Sequence, residues 1–271
     1  MLKRHNYLTY TLIVTVIIGL FLWRFLARNS TLDVTRTSET SKSPELLIGT
    51  NADFPPFAYI QDHKIIGFDI DIATEVAQRL NRTPVFTNMN FEMILPELQA
   101  GNVQILAAGL TITPERAQRV LFTHPYLGDV PLVIVSLNNN NNLKTLSDLQ
   151  NKTVIVNDGF TADLYLSKQN SDAQTSNHKI NLVRLPTVAD AFMSLNSGSA
   201  DAYVGAENSL NLFLKRNGRE KYNVNILPDT SENCALAISK KYPELLPEIQ
   251  VALDSMQADG TINKLKTKWG L

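Results

Sequence analysis

Short apolar runs alternate with segments of helical periodicity from residue 45 onward, and this alternation constrains the fold more than any other feature. In the first block, strand-like runs at residues 46–50, 84–87 and 103–107 alternate with helical segments at 68–81 and 91–100. Strands separated by helices at this spacing indicate βαβ units and a parallel sheet. The first block is therefore predicted to be an α/β layer structure.

A second block repeats the pattern. Its strand-like runs lie at 153–156, 180–184 and 201–204, and its helical segments lie at 161–168, 187–196 and 208–216. Thr187, followed three residues later by Asp190, is typical of a helix N-terminus. The stretch 243–271 is helical in two pieces, the second beginning near Thr261. Two such blocks, each with its own core, predict an α/β protein of two lobes.

The N-terminus indicates export. Lys3 and Arg4 precede an apolar run at residues 8–23, which Arg24 interrupts. A basic start before an apolar stretch is typical of an export signal. The run has 16 residues, which is marginal for a membrane span of about 17–25. Residues 1–29 are therefore predicted to be a signal peptide or an uncleaved inner-membrane anchor, and 30–44 a flexible linker, with the folded part in the periplasm.

Composition excludes several classes of protein. Residues 30–271 carry 21 basic and 26 acidic side chains, which argues against a nucleic-acid partner. The single cysteine, Cys234, lies too far downstream to be lipidated after the signal, and the four histidines are scattered, so no metal or cofactor is expected. Neither a G-x-S-x-G, a Walker A nor a dinucleotide-binding glycine pattern occurs.

Four motifs in order resemble those of the polar amino-acid family of bacterial extracellular solute-binding proteins, which serve ABC importers. The chain reads IGTNADFPPFAY, then IIGFDIDIATEVAQRL, then Thr111-Ile-Thr-Pro-Glu-Arg116, and finally ALDSMQADGTINKLKTKWG. The motifs span about 225 residues, and the run from Thr111 to Arg116 is the most specific. The resemblance implies a non-enzymatic protein, an ABC permease as partner, and a monomer.

The fold implied by the resemblance is the periplasmic binding protein type II fold, in which the chain crosses twice between the lobes. We place the crossings near 128–133 and 228–235. Lobe 1 is then residues 45–130 plus 234–271, and lobe 2 is residues 131–233. Closure of such lobes around a ligand is a hinge motion.

The resemblance also implies how a free amino acid is held. Arg116 matches the residue that pairs with the ligand carboxylate, since a guanidinium forms two parallel hydrogen bonds with it. Thr111 assists it, and Thr161 matches a threonine at a helix N-terminus, where amide groups point outward. For the ammonium group the chain departs from the family, because Ala206 stands where an aspartate is expected. Glu207 and the backbone carbonyl of Gly109 are the candidate replacements.

Aromatic and acidic residues are predicted to choose the ligand's side chain. Phe54 and Phe91 match positions that sandwich it, and facing rings suit a guanidinium or an aliphatic stem. Asn51 replaces the acid of the first loop, but Asp53 follows it and Glu92 follows Phe91. The sequence therefore favours arginine or another basic amino acid, with glutamine or another polar amino acid as the alternative.

Two other functions remain open on this fold. One is an enzyme resembling cyclohexadienyl dehydratases, which would need a positioned acid–base pair in the cleft. The other is an exported ligand sensor, which the absence of a lipidation cysteine after the signal leaves open.

Overall fold

Fifteen strands and eight α-helices are found in the part of the chain that the computed structural model describes, residues 43–140, 142–172 and 179–271. The strands are β1 (Glu45–Thr50), β2 (Asp53–Phe54), β3 (Ala58–Gln61), β4 (Lys64–Ile66), β5 (Thr83–Asn88), β6 (Ile105–Leu106), β7 (Leu121–Phe122), β8 (Leu127–Val130), β9 (Leu132–Leu137), β10 (Thr153–Asn157), β11 (Asn181–Leu185), β12 (Ala202–Ala206), β13 (Tyr222–Ile226), β14 (Glu232–Cys234) and β15 (Ala237–Ile238). The helices are α1 (Phe68–Arg79), α2 (Phe91–Ala100), α3 (Pro114–Arg119), α4 (Thr161–Asp172), α5 (Val188–Asn196), α6 (Glu207–Asn217), α7 (Leu245–Ala258) and α8 (Thr261–Trp269), with short 3₁₀ turns at Leu146–Leu149 and Arg219–Lys221.

The predicted signal or anchor at 1–29 and the linker up to residue 42 lie outside the described residues. Among the ranges described, no helix combines the length and the apolar character that a membrane span requires.

Two five-stranded sheets form the centres of the two lobes. The first has the order β5-β1-β6-β15-β7, with β1 parallel to β5 and β6, and β15 antiparallel to β6 and β7. The second has the order β11-β10-β12-β9-β13, with β10 parallel to β11 and β12, and β9 antiparallel to β12 and β13. In the interior strand β10, Val154, Ile155 and Val156 are all fully buried, as expected when helices cover both faces of a sheet. The predicted α/β fold with two lobes is confirmed.

A two-stranded antiparallel ladder connects the sheets. β8 leads from the first sheet to the second, β14 leads back, and the two pair with each other. Their register shifts between Glu232 and Cys234. Both passages of the chain between the lobes therefore lie side by side.

Local signals explain where the helices begin and end. α5 begins after Thr187, whose hydroxyl accepts a hydrogen bond from the amide of Asp190, as predicted. α1 ends at Arg79 rather than at the predicted residue 81. The reason is that Asn81 adopts a left-handed φ of 53°, and the Arg82 amide then bonds back to the carbonyl of Ala77.

Candidate ligand-binding site

A cleft lies between the two lobes, and the connecting ladder contributes Glu232 to its lining. Fifteen described residues from both lobes line it: Phe54, Phe91, Gly109, Thr111, Arg116, Asn157, Phe160, Thr161, Ala162, Tyr203, Val204, Gly205, Ala206, Ser209 and Glu232. The space left free among their side chains is about 20 Å³, which is room for one or two water molecules. The two lobes are therefore closed on each other in this structure.

Arg116 lies in the cleft with 5% of its surface exposed. Arg116 belongs to the short helix α3, which begins with Pro114 in its first turn. The Thr113 hydroxyl caps this helix by accepting a hydrogen bond from the Arg116 amide at 3.2 Å. The guanidinium donates to the carbonyl of Thr111 at 2.8 Å and to that of Gly159 in the second lobe at 3.1 Å. Burial lowers the pKa of Arg116, but an arginine remains charged in a protein. A buried cation thus bridges the lobes through neutral carbonyl groups.

Thr161 is the first residue of α4, so the free amide groups of that helix point toward the cleft. Asp163 in the same turn accepts from the amide of Gly159 at 3.1 Å and pairs with Arg184 at 2.9 Å. These contacts hold the loop that carries Phe160 and Thr161. The structure therefore brings Arg116, Thr111 and Thr161 to one cleft.

Glu232 is a cleft residue that the sequence analysis missed. It lies on β14, is 6% exposed, and accepts a hydrogen bond from the Thr161 hydroxyl. Burial raises the pKa of Glu232 to about 7, although the charge of Arg116 and a hydrogen bond from Thr111 oppose the rise. The sequence did offer one indication of this role. Glu232 lies within the predicted crossing at 228–235, and a segment that crosses between the lobes must pass the cleft.

Phe160 is the second residue that was missed, and it contacts both predicted aromatic residues. Its ring centroid lies 5.1 Å from that of Phe54, edge to face, and 4.2 Å from that of Phe91. Phe54 also stacks on Phe57 at 5.1 Å. The space that Phe54 and Phe91 were predicted to offer a ligand side chain thus holds a ring of the second lobe.

Gly109 is hydrogen-bonded through its backbone amide to a buried carboxylate, that of Asp69. Its φ is +59°, and a Cβ there would lie 2.9 Å from the Phe54 ring, so only glycine fits. Its amide donates to Asp69 at 2.5 Å, and the Tyr126 hydroxyl donates to the same carboxylate oxygen at 2.7 Å. Burial raises the pKa of Asp69 to about 6, against these two hydrogen bonds.

The other predicted residues lie elsewhere. Asn51 and Asp53 line a neighbouring cavity of about 190 Å³, together with Phe91, Glu92, Asp158 and Arg184. The Asn51 amide group is itself bonded to the carbonyl of Met89 at 3.2 Å. Glu207 begins α6, with its backbone amide bonded to Pro131, and lines neither cavity. Six of the nine predicted residues therefore line the cleft: Phe54, Phe91, Gly109, Thr111, Arg116 and Thr161.

Within the ranges that the structure describes, no group of three or more His, Cys, Asp and Glu side chains is placed to hold a metal ion.

Comparison with known proteins identifies the family. Residues 46–271 match the model of the bacterial extracellular solute-binding proteins, family 3, and the chain belongs to this family. The ABC transporter arginine-binding protein 1 of Escherichia coli K12 is 28% identical over 237 residues, which cover 86% of this chain and 93% of that protein.

Solved structures are similar over most of the chain. An ancestral arginine-binding protein bound to arginine has 33% identity and a TM-score of 0.76, covering 84% of this chain and 99% of that one. An ancestral amino acid-binding protein described as a precursor of cyclohexadienyl dehydratase has 31% identity and a TM-score of 0.73, covering 83% and 95%. The resemblance predicted from the four motifs is thus confirmed, as is the type II binding-protein fold.

Proposed function

We propose that this chain binds a free amino acid in the cleft between its lobes, without chemical change, and delivers it to the permease of an ABC importer. The observation that carries the proposal is Arg116, a buried cation in the cleft whose guanidinium contacts backbone carbonyls from both lobes. A carboxylate is the group that a guanidinium binds best, and α4 directs its free amides to the same place. Closure around the ligand would then present one closed form to the permease.

We propose arginine or another basic amino acid as the ligand, with glutamine as the alternative. Support comes from the arginine-binding relatives and from the cavity beyond Phe91. Asp53, Glu92 and Asp158 line that cavity together with one cation, Arg184, which is already paired with Asp163. A long side chain would reach these carboxylates by passing between Phe54 and Phe91. Phe160 would have to leave that space as the ligand enters.

Calorimetric titration of the full-length chain, kept in a mild detergent, with the twenty amino acids tests the proposal. We expect at least one of them to bind with Kd below about 100 μM, and arginine to be among the tightest. If none reaches that affinity, the chain is not a solute-binding protein for amino acids.

A dehydratase is the second candidate, because Glu232 supplies an acid in the cleft whose pKa is raised to about 7. Such a group could protonate a departing hydroxyl, with Arg116 holding a substrate carboxylate. Incubation with prephenate and arogenate decides between the candidates. Formation of phenylpyruvate or phenylalanine would favour the enzyme, and their absence together with amino-acid binding would favour transport.

We propose that the folded part works in the periplasm as a monomer. Residues 1–29 either are cleaved or keep it attached to the inner membrane. N-terminal sequencing of the exported chain distinguishes these two outcomes.

A further inference from the structure

An amino acid brings a positive group as well as a negative one into the cleft, and the positive group needs a partner. An ammonium ion taken out of water without an acceptor or a counter-charge is strongly destabilised. Of the described residues that line the cleft, Arg116 carries the positive charge and Glu232 is the acid. Ala206 offers no side-chain acceptor, and Glu207 beside it does not line the cleft.

We propose that Glu232, on the strand that returns from the second lobe to the first, binds the ammonium group of the ligand. This inference rests on the proposed function, because it requires an amino acid in the cleft. In the family pattern, the ammonium partner is an aspartate of the second lobe, at the position of Ala206. Here the partner would instead lie on the ladder between the lobes.

The position of Glu232 is set by backbone pairing rather than by side-chain packing alone. Glu232 pairs with Val130 in the ladder. Cys234, two residues further along the strand, forms an isolated β-bridge to Thr111. The carboxylate accepts a hydrogen bond from Thr111 and is close enough to Arg116 for the two charges to interact. A zwitterion matches this arrangement, with its carboxylate toward Arg116 and its ammonium toward Glu232.

The hydrogen bond from Thr161 is compatible with this role. Thr161 donates to one oxygen, Oε1, and Thr111 also donates a hydrogen bond to this carboxylate. A carboxylate has about four acceptor positions on its two oxygens, so Glu232 can still take the ammonium while the two threonines keep it oriented. The backbone amides at the start of α4 stay free for the ligand carboxylate.

The neutral acceptors in the cleft are weaker partners. The Gly109 carbonyl faces the Cys234 thiol at 3.6 Å, and Asn157 Oδ1 already accepts from the Tyr203 hydroxyl at 2.5 Å. A carbonyl can share the ammonium, but a hydrogen bond to a charged acceptor is roughly twice as strong.

The test pairs an amino acid with the same acid lacking its amino group. L-arginine and 5-guanidinopentanoate are the first pair, and L-alanine and propanoate are the second; each is titrated into the full-length chain and its Glu232→Gln variant. For at least one pair, we expect wild type to prefer the amino acid by about 30-fold or more. In Glu232→Gln this preference should fall to about threefold or less, while the affinity for the deaminated acid stays within about threefold.

Three results would overturn the inference. The Glu232→Gln variant could lose affinity equally for both members of a pair, or it could keep the full preference for the amino acid. It could also bind the amino acid more tightly than wild type does, which would mean that Glu232 competes with the ligand for Thr161.

Glu244→Gln, an exposed acid ahead of α7, is the matched control and should behave as wild type. Glu207→Gln tests the alternative acid, and loss of the preference there but not in Glu232→Gln would assign the ammonium to Glu207. If wild type binds neither, the amino acid that binds most tightly among the twenty replaces them, paired with its own deaminated acid. If none of the twenty binds, the proposed function fails, and the inference fails with it.

Discussion

The two ends of the cleft are built differently. At the polar end, each functional group is fixed by backbone structure: Arg116 by a capped helix, Thr161 by the start of α4, and Glu232 by the ladder. At the aromatic end, Phe54, Phe91 and Phe160 contact one another through their rings. Ring contacts are adaptable, whereas hydrogen bonds from fixed backbone are not. The polar end suits the groups that all amino acids share, and the aromatic end suits the choice of side chain.

The largest effect is expected at the polar end. Arg116→Ala removes the buried cation, and we expect amino-acid affinity to fall by about 100-fold or more, because the ligand carboxylate is left buried without its partner. Arg119→Ala is the control, since Arg119 lies on the same helix but bonds to Gln99 on the surface. Calorimetric titration measures both variants. If Arg116→Ala keeps its affinity within about threefold, Arg116 does not bind the ligand carboxylate, and the polar end does not provide most of the binding free energy.

Asp69 supports both ends through Gly109, so its loss should reduce stability. Asp69→Ala leaves the Gly109 amide and the Tyr126 hydroxyl without their buried acceptor. We expect the free energy of unfolding to fall by about 2–4 kcal/mol in urea titrations at pH 7, and Asp69→Asn to cost less because it keeps an acceptor. Equal losses in the two variants would contradict this role of the acceptor.

The pH dependence of stability provides a check on Asp69. Its pKa in the folded protein is raised from 3.8 to about 6, so the folded state binds this proton more tightly than the unfolded state. The part of the stability that depends on this bound proton is therefore complete below pH 4 and is lost as the pH rises through 6, whereas the acceptor role toward Gly109 and Tyr126 remains at pH 7. Asp69→Asn should remove this part of the pH profile.

At the aromatic end we expect a gain rather than a loss. Phe160→Ala removes the ring that stands between Phe54 and Phe91, so a long side chain no longer has to displace it. Burial of a phenylalanine ring contributes about 1.5–3 kcal/mol, so arginine affinity relative to alanine affinity should rise by about tenfold or more. Leu164→Ala, an exposed position on α4 just after the loop that carries Phe160, should change neither affinity. If Phe160→Ala weakens arginine binding instead, the ring is a wall of the ligand site.

The sequence predicted the polar end better than the aromatic end, for a physical reason. Helix periodicity and capping are local patterns, so even at the aromatic end α2, which begins at Phe91, was predicted with its observed bounds, and the cap at Thr187 was found. The run from Thr111 to Arg116 is likewise contiguous. Contacts of Phe160 with Phe54 and Phe91 depend on how the two lobes close, which no local pattern encodes. The two-residue strands β7 and β15 were missed because two residues carry no periodicity.

Glu232 belongs to the polar end but was also missed, since its role depends on where the returning strand passes.

The raised pKa of Glu232 leads to the smallest predicted effect. With a pKa of about 7, Glu232 is mostly protonated at pH 6 and mostly ionised at pH 8 in the free protein. Only the ionised form attracts an ammonium group strongly, so affinity should rise by about tenfold from pH 6 to pH 8.

Other groups near Glu232 must be separated from it in that measurement. Arg116 keeps its charge over this range, and burial raises the pKa of the Cys234 thiol far above it. Asp69, with a pKa of about 6, is the other group that titrates nearby. The pH dependence should therefore vanish in Glu232→Gln and persist in Asp69→Asn. If it persists in Glu232→Gln instead, the polar end does not owe its charge balance to Glu232, and the ammonium partner has to be sought among the backbone carbonyls of the cleft.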